Sequence, residues 1–154
     1  MRGRWRWLVG FLRFGSRGEA SARPPADPHG LGRYGEDLAI RFLADSGLRI
    51  VARNRRIAGV EIDVVADCPR ERLLLLVEVK TVRGNRPPEA RVDRTRRHRL
   101  TRAASSLSRK HAVAIEVVAI NICPSGPTIR RIRFDPADLE EGDARSGGRM
   151  FNGR

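Results

Sequence analysis

The chain has 154 residues, which suits one domain with a modest core and two tails. Its 40% apolar and 32% charged content excludes a disordered chain, and two distant cysteines, Cys68 and Cys123, exclude a disulfide framework. The net charge of +13 favours nucleic acid or an anionic membrane surface as a partner, although an excess of arginine is also what GC-rich coding produces.

Residues 1–30 are predicted to be a flexible basic tail and linker. The apolar part of "RWRWLVGFLRF" is too short for a membrane span, and a chain with two isolated cysteines suits the cytoplasm. Contact between this segment and a membrane surface is a weaker alternative. "GSRGEASARPPADPHG" has the Gly, Pro and Ser content of a linker. An ordered domain is therefore expected over residues 31–134, followed by a loose C-terminal tail over residues 135–154.

The first predicted elements of the domain are a helix and a strand. In "RYGEDLAIRFLADSG", Tyr34, Leu38 and Phe42 fall on one helical stripe, and Gly47 stands where a C-terminal cap belongs. The strand "LRIVARNRR" follows, and simple alternation places Ile50 and Ala52 on one face.

The remaining elements complete the order αβββαβ with one further strand. "VEIDVVA" and "LLLLVEVKTV" are predicted to be antiparallel neighbours joined by the turn "DCPRER", with the second strand central because it is apolar on both faces. A second helix is expected from about Val92 to Arg109, then the strand "AVAIEVVAINI" and an edge strand "TIRRIRF". The fold class is therefore α/β, a mixed sheet of about five strands flanked by helices.

Charged residues interrupt the two apolar strands of the predicted hairpin. Alternation puts Glu61 and Asp63 on one face, and it puts Glu78 and Lys80 on one face of the next strand. If the register permits, Asp63 and Glu78 lie side by side. Two adjacent carboxylates repel unless a cation neutralises them, and oxygen ligands suit Mg²⁺ or Mn²⁺. A solvated strand end with an ordinary ion pair is the alternative.

Two further residues extend this candidate site. Lys80 is one of only two lysines beside 29 arginines, and a compact ammonium can orient a single water better than a guanidinium can. Glu36 lies at the edge of the apolar stripe of the first helix and could point towards the sheet. It could equally be a first-turn acid that complements the helix dipole.

The second predicted helix is basic. Arg96 falls on its apolar stripe, between Val92 and Leu100, and should lean towards the sheet or the site. The other arginines should face outward, where they could follow the phosphates of a nucleic acid. A solvated basic face is the alternative. The predicted nucleic-acid-binding residues are Arg94, Arg96, Arg97, Arg99 and Arg102.

These motifs resemble a known family. "VEID" followed by "EVK" resembles the PD-(D/E)XK nuclease pattern, in which Asp63, Glu78 and Lys80 would be the core triad and Glu36 the additional acid of the first helix. "GRYGEDLAIRFL", "ARNRR", "EIDVVA" and "LLVEVKTVRG" together resemble the YraN-like uncharacterised bacterial proteins, which have a restriction-endonuclease-like fold. The resemblance covers roughly residues 31–121.

The sequence departs from the family pattern at three positions outside the triad. Val60 replaces a usual glycine, Arg96 a usual lysine, and Glu116 a usual aspartate.

The resemblance implies a metal-dependent endonuclease that hydrolyses phosphodiester bonds in DNA, with branched or damaged DNA among the candidate substrates. Asp63, Glu78 and the carbonyl of Val79 would bind Mg²⁺ or Mn²⁺. Small nucleases of this fold often cut two strands as homodimers, so a homodimer is also suggested. The alternative is a non-catalytic nucleic-acid-binding module on the same fold.

Overall fold

In a computed structural model, the chain forms one mixed β-sheet with a helix on each side. The structure describes residues 12–13, 23–84, 87–88, 92–108 and 110–134. The helices are α1 (Pro28–Asp45) and α2 (Arg94–Leu107). The strands are β1 (Leu12–Arg13), β2 (Arg49–Ile57), β3 (Val60–Cys68), β4 (Leu73–Arg83), β5 (Ala112–Cys123) and β6 (Gly126–Phe134).

The order of the strands in the sheet is β1-β6-β5-β4-β3-β2. Strands β4 and β5 are parallel, and the other neighbouring pairs are antiparallel. A parallel pair needs a crossover connection, and α2 lies in the segment between β4 and β5. The predicted α/β class, the antiparallel β3–β4 hairpin and the internal position of β4 are confirmed, and the arrangement is that of a restriction-endonuclease-like core.

The edge next to β6 differs from the prediction. The two-residue strand β1 pairs with β6 at Thr128 and Ile129, so β6 is not wholly an edge strand. Strand β1 lies inside the segment predicted to be a tail. The other residues before 23 and those after 134 lie outside the described part of the chain, so the tail predictions stay untested.

Helix α1 begins earlier than the sequence pattern indicated, at Pro28 rather than at Arg33. The side chain of Asp27 accepts a hydrogen bond from the Gly30 backbone at 2.6 Å, and Pro28 suits the first helical position because it needs no backbone donor. Gly47 ends the helix with φ of 83°, as predicted. No helix within the described ranges is long and apolar enough to cross a membrane.

The core has two halves, one on each face of the sheet. The apolar stripe of α1, including Leu38 and Phe42, packs with residues such as Val64, Leu75 and Val118 on one face. Residues from the α2 region pack on the opposite face with Val60, Ile62, Leu76 and Val117; they are Val92, Leu100, Ala103 and Ala104. These two faces are called the α1 face and the α2 face below.

A bulge in β2 overturns one prediction about its faces. The pairing of β2 with β3 shifts between Ile50 and Ala52, which leaves Val51 as an exposed extra residue. Ile50 packs on the α1 face, whereas Ala52 packs on the α2 face. The extra residue changes the alternation, so the two side chains do not share a face as expected.

Candidate active site

The regular alternation of β3 breaks at Asp63. Ile62 packs on the α2 face, whereas Val64 packs on the α1 face, although two residues apart should share a face in a regular strand. The β3–β4 pairing begins at Val64 opposite Val77. The prediction that Glu61 and Asp63 share a face rested on unbroken alternation, which this strand does not have.

The carboxylate of Asp63 points towards β4. It accepts a hydrogen bond from the backbone N–H of Val79 at 2.7 Å. Burial, together with the negative charge of Glu78, raises the pKa of Asp63 from 3.8 to about 6, against the lowering effects of Val79, Lys80 and Arg96. The two carboxylates are therefore close enough to repel, as the sequence predicted.

Glu78 is a fully buried carboxylate held by two cations. Its side chain lies on the α2 face and is 1% exposed. Lys80 Nζ lies 2.7 Å from Glu78 Oε1, which confirms that these two residues share a face. Arg96 Nη2 binds Glu78 Oε2 from the other side. Both oxygens of Glu78 are thus paired with positive charge, which offsets the cost of burying it.

Arg96 enters the site from the first turn of α2. The side chain of Asp93 caps this helix by accepting a hydrogen bond from the Arg96 backbone N–H at 2.7 Å. This bond holds the backbone of Arg96 in place at the start of the helix. Besides Glu78, Arg96 Nη2 binds the carbonyl oxygen of Glu61 at 2.8 Å. Burial lowers the pKa of Arg96, but the hydrogen bond and charge of Glu78 raise it above its ordinary value. The inward orientation predicted for Arg96 is confirmed.

Asp63 and Glu78 offer the oxygen ligands that a divalent ion prefers, but the described residues add no third side-chain ligand. Asp63 and Glu78 offer carboxylate oxygens, and their repulsion is what a bound cation would relieve. The carbonyl of Val79 faces the same side of β4 as its N–H, which meets Asp63. Within the described ranges, no group of three or more His, Cys, Asp or Glu side chains is placed to hold a metal. A metal would therefore rest on two carboxylates, a backbone carbonyl and water.

Glu36 does not contact Asp63, Glu78 or Lys80 in the described contacts, and its link to the sheet is an asparagine of β2 that the sequence reasoning missed. Glu36 Oε2 accepts from Asn54 Nδ2 at 3.4 Å. Asn54 lies across from Asp63, because its neighbours Arg53 and Arg55 pair with Val64 and Ile62. Its φ of 47° in the left-handed region, which asparagine tolerates well, marks the same irregular point of the hairpin.

The prediction that the arginines of α2 other than Arg96 face outward is wrong for one of them, Arg97. Arg94, Arg99 and Arg102 are exposed. Arg97, in contrast, lies with its guanidinium 5.5 Å from the centre of the Phe134 ring and donates from Nε to the Val92 carbonyl at 3.1 Å. Its side chain is committed to packing between α2 and β6.

A second buried carboxylate lies away from the candidate site. Glu116 of β5 is 2% exposed, and it binds Arg131 and Arg133 of β6 at 2.7 to 2.9 Å. Arg133 also binds Glu71 of the β3–β4 turn and lowers the pKa of that carboxyl. The charged residues within "IEVV" and "RRIRF" were the available signal. This cluster holds β5, β6 and the turn together, and it does not join Asp63 and Glu78.

Comparison with known sequences places the chain in a family. The sequence profile of uncharacterised protein family UPF0102 matches residues 35–135, which include most of α1, the strands β3 and β4 that carry the site, and α2. The chain belongs to uncharacterised protein family UPF0102. The predicted kinship with the YraN-like proteins is thereby confirmed.

Relatives within UPF0102 are about 40% identical to the chain over the segments that align with it. A UPF0102 protein of Pelobacter propionicus is 42% identical over 95 residues, which are 60% of this chain and 66% of the relative. One from Rhodopirellula baltica is 41% identical over 58% of each chain. One from Solibacter usitatus is 41% identical over 69% of this chain and 85% of the relative. The match thus spans only part of the first two relatives.

Proposed function

We propose that the protein is a metal-dependent endonuclease that hydrolyses phosphodiester bonds in DNA, with branched or damaged DNA as candidate substrates. The observation that carries the proposal is the pair of close carboxylates, partly buried Asp63 and fully buried Glu78, with Lys80 on the face of Glu78 and a basic helix beside them. Ionisable groups whose pKa values are shifted far from their ordinary values are found at active sites more often than elsewhere in a protein.

The roles of the residues follow from their chemistry. Asp63, Glu78 and the Val79 carbonyl would hold the ion, which when bound supplies Lewis acidity and positive charge to the phosphodiester. Lys80 would orient the attacking water and stabilise negative charge on the phosphate. The oxygen of the water would form a new bond to phosphorus while the bond from phosphorus to the leaving oxygen breaks, with the water losing a proton to solvent and the leaving oxygen taking one from solvent. Glu36, linked to Asn54, would support a water at the edge of the site.

The arginines of α2 would hold the nucleic-acid backbone. The exposed residues Arg94, Arg99 and Arg102 lie on the same helix as Arg96, which reaches the carboxylates. Phosphate contacts position a nucleic acid without reading its sequence. The surface would therefore bind DNA with little base preference, and any preference would come from the shape of the substrate.

A single-turnover cleavage assay tests this function. Full-length protein is mixed with linear, flapped and branched DNA in Mg²⁺ or Mn²⁺, beside Asp63→Asn, Lys80→Met and the exposed control Asp45→Asn. We expect cleavage of at least one substrate, a loss of about 100-fold or more in the first two variants, and no change in the control. Equal cleavage by wild type and Asp63→Asn, or none on any substrate, would rule the proposal out.

A second candidate function is a nucleic-acid-binding module without turnover. The observation that favours it is that both oxygens of Glu78 are already paired with Lys80 and Arg96, so the charge is balanced without a metal. This function predicts DNA binding that falls with salt, is undiminished by Asp63→Asn and yields no product at high protein concentration.

A further inference from the structure

The guanidinium of Arg96 occupies the centre of negative charge in the site. Its Nη2 atom touches one oxygen of Glu78 and the carbonyl oxygen of Glu61, the latter at 2.8 Å. The charges of Asp63 and Glu61 add to the attraction of Glu78, and together they raise the pKa of Arg96. Arg96 therefore contacts two oxygen atoms of the site, which belong to the class of ligand that hard metal ions also prefer.

The two carboxylates are not equally held. Glu78 has a cation on each oxygen, Lys80 on Oε1 and Arg96 on Oε2. Asp63 is held by the backbone N–H of Val79, and its pKa is raised to about 6. An ion shared by both carboxylates needs an oxygen of Glu78, and each of the two already carries a cation. Lys80 follows Glu78 on the same strand, whereas Arg96 reaches Glu78 from a separate helix, α2.

We infer that Arg96 acts as the counter-cation of the metal-free site, and that its guanidinium must leave Glu78 before a divalent ion can bind both carboxylates. This inference rests on the proposed function, because it takes Asp63 and Glu78 to be the metal ligands. Arginine keeps its charge at every working pH, so it cannot make way for a metal by losing a proton. It makes way only by moving.

A displaced Arg96 would have a second use. Its backbone lies in the first turn of α2, near the exposed Arg94 and Arg99, and its side chain is already 21% exposed. A guanidinium released from a carboxylate can bind a phosphate through two parallel hydrogen bonds. Metal and nucleic acid would then favour each other's binding, since the metal frees Arg96 and the phosphate holds it away from Glu78.

Manganese titration calorimetry on the full-length protein tests this inference. The proteins are wild type, Arg96→Gln, Arg70→Gln and the double variant Asp63→Asn/Arg96→Gln. Glutamine at position 96 removes the charge and leaves a polar side chain. Arg70→Gln removes the same charge from an exposed position in the β3–β4 turn. We expect Arg96→Gln to bind Mn²⁺ at least about tenfold more tightly than wild type and Arg70→Gln to match wild type. Binding should disappear in the double variant.

Thermal unfolding with and without Mn²⁺ gives a readout that also covers a weakly folded variant. Without metal, Arg96→Gln should melt below wild type because Glu78 and Asp63 lose a counter-charge. Saturating Mn²⁺ should restore most of the difference, since an ion bound only by the folded state raises the melting temperature. A low melting temperature that Mn²⁺ does not restore would overturn the inference and leave Arg96 as a structural partner of Glu78.

The remaining outcomes separate the inference from the proposed function. Equal Mn²⁺ affinity in wild type and Arg96→Gln, or weaker affinity in Arg96→Gln, would overturn the counter-cation role while the metal site stands. No Mn²⁺ binding by any of the proteins would overturn both.

Discussion

The charged carboxylate of Asp63, which the proposed metal site requires, lowers the stability of the metal-free fold. This partly buried carboxylate lies near Glu78, and both the burial and the negative charge of Glu78 raise its pKa to about 6. A folded-state pKa above the usual 3.8 means that the folded protein binds more protons than the unfolded chain between these values. The cost of the charged group is absent below pH 3.8, appears as the pH rises through this window, and is fully present above it.

Asp63→Asn should therefore stabilise the metal-free protein at pH 8. A rise in pKa from 3.8 to about 6 corresponds to about 3 kcal/mol, and this is the upper limit of the gain. The asparagine oxygen can still accept the Val79 N–H. Urea unfolding in EDTA at pH 8 and pH 4 checks this, with Asp45→Asn as the control. The gain should nearly vanish at pH 4. Equal effects at both pH values, or a loss at pH 8, would refute the explanation.

At the scale of elements, the sequence predicts the helices and strands whose residues follow a regular pattern, and it does not predict the positions where a strand becomes irregular. The helix stripe of α1, the Gly47 cap and the hairpin of β3 and β4 were all readable, because each follows from regular spacing or turn chemistry. The bulge at Val51 and the break at Asp63 were not, because they depend on how β2 and β3 pair. Alternation predicted that Glu78 and Lys80 share a face, because β4 is regular there. It did not predict the orientation of Glu61 relative to Asp63, because the alternation of β3 breaks between Ile62 and Val64.

Helix α1 must lie close to β4 to cover the site strand, and Gly35 permits this approach. A Cβ atom at Gly35 would overlap the Thr81 hydroxyl and lie 2.8 Å from the Thr81 Cβ. Gly32, in the same helix, would meet nothing within 4 Å. The two glycines thus form a matched pair in which only the packing environment differs.

Gly35→Ala should destabilise the fold by about 1–3 kcal/mol through overpacking, despite the better helix propensity of alanine. Gly32→Ala should stabilise it by up to about 1 kcal/mol, because only the propensity changes. Melting curves of the two variants beside wild type measure the difference. Similar effects of the two substitutions would show that α1 does not pack against Thr81 as described.

At the scale of the whole molecule, the charge of +13 and the fold act together. The match to family UPF0102 spans β2 to β6, the site and α2, so the basic helix and the carboxylates both lie within the family region. The basic character was evident from composition, but composition could not separate arginines that face solvent from those committed to internal contacts. Arg97 over Phe134 and Arg131 on Glu116 belong to the second group.

Removing exposed arginines from α2 should weaken DNA binding and flatten its salt dependence. Arg99→Ala/Arg102→Ala should reduce the slope of log affinity against log salt by about one for each phosphate that the protein no longer neutralises. The control removes two charges from the β3–β4 turn, Arg70→Ala/Arg72→Gly, with glycine chosen because Arg72 has a φ of 55°. Fluorescence anisotropy over a range of salt concentrations measures both. Equal weakening by the two double variants would mean that net charge alone, and not the α2 surface, binds the DNA.

The proposed nuclease activity and the proposed counter-cation role of Arg96 both require that Asp63 helps to hold a divalent ion in the hairpin of β3 and β4. Electron paramagnetic resonance of free Mn²⁺, titrated with full-length wild type, Asp63→Asn and Asp45→Asn at pH 8, tests this role most directly. Wild type and Asp45→Asn should remove Mn²⁺ from solution to the same saturating level, and Asp63→Asn should leave it free. Equal uptake by all three proteins, or uptake by none, would contradict this role.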